Sequence, residues 1–290
     1  NNNNNNNNNN TKNEQIKQMQ DLLNQASAAR TNSSQNEASL LYEMKEYLNE
    51  SIIVEEHPSA LCSYTDPTIW NKVDCERYVS PTACGGSRKQ YGPELTFAHV
   101  FTQLENSPFK NKQIGITKVA VGGTEIYKNW MKENQENRDN YWSVLQDVIK
   151  STKGSIEAIV WFQGENDNFK DWNRKNYLKH LTKFITDVRQ EVFKSYATTS
   201  DNDKYLTPAD IPVIIVELGS WSYSINVTLI DAQNAYVSSD PNAAIVHTGA
   251  ENKHLSHFYH YDAAAILIIG KRIAEKMAEL LNDRVIEAGM

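Results

Sequence analysis

Ile156-Glu157-Ala158-Ile159-Val160-Trp161-Phe162 leads directly into Gln163-Gly164-Glu165-Asn166-Asp167. The first seven residues read as an apolar strand, and the next five as the polar end at which that strand stops. A second run, Pro212-Val213-Ile214-Ile215-Val216, is apolar at every position, the pattern of a strand covered on both faces. Between the two, Tyr177, Leu181, Phe184, Ile185, Val188 and Val192 recur at helical spacing. The alternation continues on either side. Helices are predicted at 95–104, 141–150, 229–237 and 262–281, and strands at 113–121 and 243–246. In the last helix Ile266, Ile269, Ile273, Met277 and Leu280 face the core. Strand and helix in strict alternation predict an α/β fold, a doubly wound, mostly parallel sheet covered by helices.

The 290 residues, 40% hydrophobic and 10% aromatic, suffice for one substantial core. Twenty-nine basic against 36 acidic residues give a formal charge of -7, and no basic run stands out, which argues against nucleic acid or an anionic membrane as partner. A neutral, sugar-like substrate suits this balance better. No stretch approaches the roughly 20 apolar residues of a membrane span.

Residues 1–10 are all Asn, and the polar bias persists to about residue 37, so 1–37 are expected to be a disordered tail and 38–290 the folded domain. Within 38–91 the reading is a short amphipathic helix at 38–48, a strand at 51–55 and a long loop at 56–91 that holds Cys62, Cys75 and Cys84. An odd cysteine count leaves one thiol over and allows one local disulfide. The sequons Asn49-Glu50-Ser51 and Asn226-Val227-Thr228 favour a secreted or endomembrane setting. The start at Asn1 neither shows nor excludes an upstream signal peptide.

Chemistry is expected where the carboxyl ends of parallel strands share one edge. The first such end carries Val121-Gly122-Gly123-Thr124-Glu125, whose paired glycines serve either a tight turn or backbone N–H donation to an oxyanion. At the second, Gln163 offers an amide donor, while Glu165 and Asp167 orient groups or bind hydroxyls. The third, Glu217-Leu218-Gly219-Ser220-Trp221, places Trp221 as a sugar-stacking or packing ring. The fourth leads to Glu251-Asn252-Lys253-His254, where an acid three residues before a His can hold the imidazole as a general base requires. The spacing of His254, His257 and His260 is poor for a metal site.

Four blocks together resemble the SGNH hydrolases, and within them the family six carbohydrate esterases and sialate O-acetylesterase-like domains. They are Tyr91-Gly92-Pro93-Glu94-Leu95-Thr96-Phe97-Ala98, Val121-Gly122-Gly123-Thr124, Trp161-Phe162-Gln163-Gly164-Glu165-Asn166-Asp167, and His254-Leu255-Ser256 with Tyr261-Asp262-Ala263-Ala264. The resemblance covers residues 91–281. It implies a flavodoxin-like three-layer sandwich and cofactor-free removal of acetyl groups from carbohydrate hydroxyls by a serine. It also implies oxyanion donation by Gly122 or Gly123 and by Gln163, with His254 as base and Glu251 as its orienter. Glu251 stands where the family usually has Asp. The family's Gly-Gln-Ser-Asn nucleophile block has no counterpart here. Ser33-Ser34-Gln35-Asn36 has similar letters in the wrong order, and Ser59, Ser63 and Ser87 lack a nucleophile-turn signature, so the nucleophile stays unassigned. The sheet is accordingly expected without its usual first strand, through truncation or true loss.

Two other functions fit parts of this pattern. One is a glycan-binding pseudoenzyme that uses Trp221 and the acidic cluster. The other is a retaining glycosidase with Glu165 and Glu217 as its carboxylate pair, an arrangement that belongs to eight-stranded barrels.

Overall fold

The computed structural model describes residues 60–65, 77–78, 92–152, 154–196, 205–219, 227–248, 255–257, 260–261 and 263–288. The predicted helix at 38–48 and strand at 51–55 lie outside them.

Val213–Val216 (β5) is the centre of the molecule, with each of its four side chains fully buried. Val213 and Ile215 enter one apolar cluster, and Ile214 and Val216 the other. That split is the pleat at work, since successive strand side chains point to opposite faces. Each such burial is worth on the order of 2 kcal/mol. On the first face lie Trp142–Ser151 (α2), Asp171–Tyr196 (α3) and Val227–Ser239 (α4), which contribute Trp142, Leu181, Phe184, Leu229 and Tyr236. On the second lie Glu94–Phe101 (α1) and Ala263–Ala288 (α5), which contribute Phe101, Ile269, Ile273 and Met277. The three layers are those expected of an α/β sandwich.

In the middle layer, Ile159–Trp161 (β4), β5 and Ala243–Val246 (β6) run parallel, with Ile159 opposite Val213 and Val213 opposite Ala243. A second parallel pair joins Ala60–Thr65 (β1) to Ile114–Val119 (β3), and Arg77–Tyr78 (β2) lies antiparallel on the outer side of β1. Leu255–His257 (β7) and His260–Tyr261 (β8) form a small antiparallel pair.

The helices at 95–104, 141–150 and 229–237 match their predicted positions to within a few residues. The loop expected over 56–91 is corrected by β1 and β2, which places Ser63 in a strand opposite Thr117. Ala60-Leu61-Cys62-Ser63-Tyr64-Thr65 sits between Pro58 and Pro67 in the cysteine-bearing segment that reads as a loop, and it pairs in parallel with β3 along its whole length. β4 is shorter than 156–162, and ahead of it the carbonyls of Ile156 and Glu157 accept hydrogen bonds from the hydroxyls of Tyr196 and Tyr205. The last helix runs on to Ala288.

Candidate active site

The turn after β3 and the end of β4 are locked together. Gln163 donates both amide hydrogens, one to the carbonyl of Thr124 at 2.6 Å and one to Asp167 Oδ2 at 2.8 Å. Asn166 Nδ2 donates to the carbonyl of Gly123 at 3.0 Å. Asp167, wholly buried, accepts the backbone N–H of Ile126 at 3.0 Å through Oδ2. Thr124 adds a local staple, since its hydroxyl donates to the Val121 carbonyl at 3.1 Å and accepts from Trp130 Nε1 at 3.0 Å.

The consequence for donors is specific. The carbonyls of Gly123 and Thr124 are both taken by amides from the β4 end, which leaves Gly122 and Gly123 exposed at the crest of the turn. Among the described residues, their N–H groups carry no hydrogen bond. Gly123 has φ of 71°, a left-handed conformation that a glycine takes without penalty. The Gln163 side chain, by contrast, has no N–H left over, and its Oε1 is buried without a partner among the described residues. The opposite amide orientation would set Oε1 against two acceptors, so the network itself decides which atom is nitrogen. In this geometry Gln163 shapes the turn.

Gly164 has φ of 145°, and a Cβ there would fall 2.7 Å from Leu218 Cδ1 and 2.9 Å from the Tyr177 hydroxyl oxygen. Only glycine lets the chain pass between those two side chains. Tyr177 in turn donates its hydroxyl to the Gln163 carbonyl at 2.7 Å, which anchors the β4 end to α3.

The carboxylates differ in their electrostatics. Burial pushes the Asp167 carboxyl up to about 6, with the hydrogen bonds from Gln163 and Ile126 opposing the shift. Burial likewise raises Glu165, against hydrogen bonds from its own N–H and that of Gly164. For Glu125 burial acts in the same sense but is outweighed, because Lys170 and Asn173 donate to the carboxylate and hold it below the usual range. Asn173 Nδ2 reaches Glu125 Oε2 at 2.8 Å.

At the next strand end, Glu217 lies 3.1 Å from His247 Nδ1, so the β5 and β6 ends also meet. The backbone N–H of Gly219 donates to the Tyr261 hydroxyl at 2.7 Å, tying β5 to the segment before α5. The structure therefore brings together Gly122, Gly123, Gln163 and Asp167, with Glu165 next to Gln163 through Gly164. His254, Glu251 and Trp221 lie outside the described residues. Glu125, Asn166, Tyr177, His247 and Tyr261 were given no role at the site from sequence, since their partners are 14 to 48 residues distant in the chain.

The family described as carbohydrate esterase, sialic acid-specific acetylesterase matches residues 54–279. The chain belongs to this family. Its match begins well before residue 91, where the resemblance read from sequence begins, and takes in β1 and β2. A probable carbohydrate esterase of Arabidopsis thaliana is 29% identical over 104 residues, covering 35% of this chain and 37% of that protein. A crystal structure of an Arabidopsis thaliana protein superposes with a TM-score of 0.53 at 19% identity, over 78% of this chain and 83% of that one, and so shares the fold. No helix among the described residues is long and apolar enough to cross a membrane.

Proposed function

We propose that this carbohydrate esterase family member removes O-acetyl groups from a carbohydrate, of the sialate or acetylated xylan type, by acyl transfer through a serine. The observation that carries the reading is the Gly122-Gly123 turn, fixed by Asn166 on the Gly123 carbonyl and by Gln163 on the Thr124 carbonyl that follows, while its exposed N–H groups stay available. Preorganised N–H donors of this kind stabilise the oxyanion of a tetrahedral intermediate, and loss of one such donor costs about 10²- to 10³-fold in rate. Gln163 is then a positioning residue.

In this scheme the serine Oγ attacks the acetyl carbonyl as His254 takes its proton, with Glu251 holding the imidazole. The oxyanion accepts from Gly122 and Gly123. Collapse expels the sugar oxygen, which receives the proton from His254, and water then repeats the sequence on the acetyl-enzyme to release acetate. The serine itself is unassigned. Glu165 and Asp167 shape the site and take no covalent part.

Acetate release from acetylated xylan and from O-acetylated sialic acid, by the native chain and by His254→Ala, tests the proposal. The expected outcome is release from at least one substrate and a loss of about 10³-fold or more in the variant. Equal release by both proteins would remove His254 from its role. Sugar binding without acetate release would select the pseudoenzyme.

A further inference from the structure

The start of α3 presents two large aromatic side chains to solvent. Trp172 is 51% exposed, and Phe169, three residues before it, 52%. Trp172 is nonetheless held in place. The Tyr127 ring meets it at 4.9 Å and 72°, an edge-to-face contact, and the His180 ring lies 5.2 Å away at 43°. Tyr127 also stacks on His180 at 4.8 Å and 30°. His180 is 4% exposed, and its Nδ1 is buried without a hydrogen-bond partner among the described residues. The exposed indole therefore rests on two stacked rings, Tyr127 and His180.

Polar groups run from this stack to the Gly122-Gly123 turn. Glu125, two residues before Tyr127, accepts from Asn173 and Lys170, and Asn166 spans Glu125 and the Gly123 carbonyl at 3.4 and 3.0 Å. The charges beside the indole are paired within the protein: Lys170 with Glu125, and Asp171 with Arg174 and Lys175. Nothing here selects an ionic partner.

We propose that Trp172, backed by Tyr127 and His180, is a stacking platform for one pyranose ring of the carbohydrate whose acetyl group is presented at the Gly122-Gly123 turn. A pyranose offers a face of C–H groups, weakly positive, to the negative face of an aromatic ring, while its hydroxyls lie at the rim within reach of amides and carboxylates. A two-ring patch bordered by paired charges matches one sugar unit and is far smaller than the apolar core of a protein interface. The inference rests on the esterase reading for the identity of the ligand and adds the place where a neighbouring sugar is held.

Calorimetric titration of the native chain, Trp172→Ala and Trp172→Phe with xylohexaose, partially acetylated xylo-oligosaccharides and sialyllactose tests it. The native chain is expected to bind at least one of these saturably, Trp172→Ala roughly tenfold more weakly, and Trp172→Phe within about threefold of native. Unchanged binding by Trp172→Ala, or no saturable binding by the native chain, overturns the platform. So does a Trp172→Ala variant whose only change is a shift from dimer to monomer in sedimentation, which would make the ring pair a contact between copies. His254-dependent acetate release with unchanged Trp172→Ala binding would leave the esterase standing and remove the platform. Trp172-dependent binding without acetate release would do the reverse.

Discussion

Gln163 and Asp167 share a 2.8 Å hydrogen bond between the side-chain amide and a wholly buried carboxylate, and each also holds backbone of the segment that follows β3. Gln163 grips the Thr124 carbonyl and Asp167 the Ile126 N–H, so the pair fixes that segment at two points separated by one residue. Asp167→Asn keeps the shape, but with its oxygen in the place of Oδ2, where both donors point, its amide nitrogen stands in the place of Oδ1, a buried donor 3.3 Å from the Ile126 N–H. A buried unsatisfied donor costs about 1–3 kcal/mol. Urea unfolding should show that loss. Ester hydrolysis should fall about tenfold or more through kcat, since the Gly122 and Gly123 donors are no longer held in register.

The same carboxylate predicts a pH effect. Its folded value of about 6 lies above the 3.8 of an ordinary aspartate, so the folded state takes up a proton first as pH falls. The associated stability is fully present below the unfolded pKa and is lost as pH rises through about 6. Two pK units correspond to on the order of 3 kcal/mol. Glu125 works in the opposite sense, since its lowered pKa gives stability that is lost as pH falls. The test is therefore a difference: urea midpoints at pH 4.5 and 7.5 for the native chain against Asp167→Asn. The native chain should lose more stability than the variant between the lower and the higher pH. Parallel profiles would show that Asp167 is not the titrating group.

How far the sequence reaches depends on whether a signal is local. β5 is legible because all four positions of Val213-Ile214-Ile215-Val216 are apolar, and α3 because Tyr177, Leu181, Phe184, Ile185 and Val188 share one helical stripe. The π-helical turn Ile126–Trp130 is not legible, because distant groups hold it: Asp167 takes the Ile126 N–H, and Asn140 donates to the carbonyls of Lys128 and Met131. β1 escapes for a similar reason, as it pairs with β3, which is distant in the chain. At the site, the residue types at the β4 end announce themselves, but the commitment of Gln163 to Thr124 spans 39 residues. Chemistry was readable there, and the acceptors that take the Gln163 amide hydrogens were not.

Two glycines at neighbouring strand ends make a matched pair of tests. Gly164→Ala imposes a side chain at φ 145° and drives it against Leu218 and Tyr177. Backbone strain of this kind costs about 1–3 kcal/mol, and displacement of the Tyr177 hydroxyl from the Gln163 carbonyl adds to it. Gly122→Ala meets open space, with nothing within 4 Å of the new Cβ, so its effect on stability should stay within about 0.5 kcal/mol. Thermal unfolding of both variants checks the contrast, and equal melting temperatures would contradict the packing described at Gly164.

Arg189 anchors α3 to the far edge of the sheet. Its guanidinium pairs with Asp240 and donates to the carbonyls of Ile211 at 2.8 Å and Asn242 at 3.2 Å, while the Tyr236 hydroxyl reaches Asp240 at 2.7 Å. The pair therefore joins α3, the entry to β5, the end of α4 and the turn into β6. Arg189→Ala strands the Asp240 carboxylate beside two uncapped carbonyls, and breaking a buried pair from one side costs about 3–5 kcal/mol. Arg189→Ala/Asp240→Ala removes the stranded charge as well, so its loss should be clearly smaller than the sum of the two single variants. A double-mutant cycle read by urea unfolding measures that coupling. Simple additivity would mean that the two side chains act independently and that α3 is held to this edge by its apolar face alone.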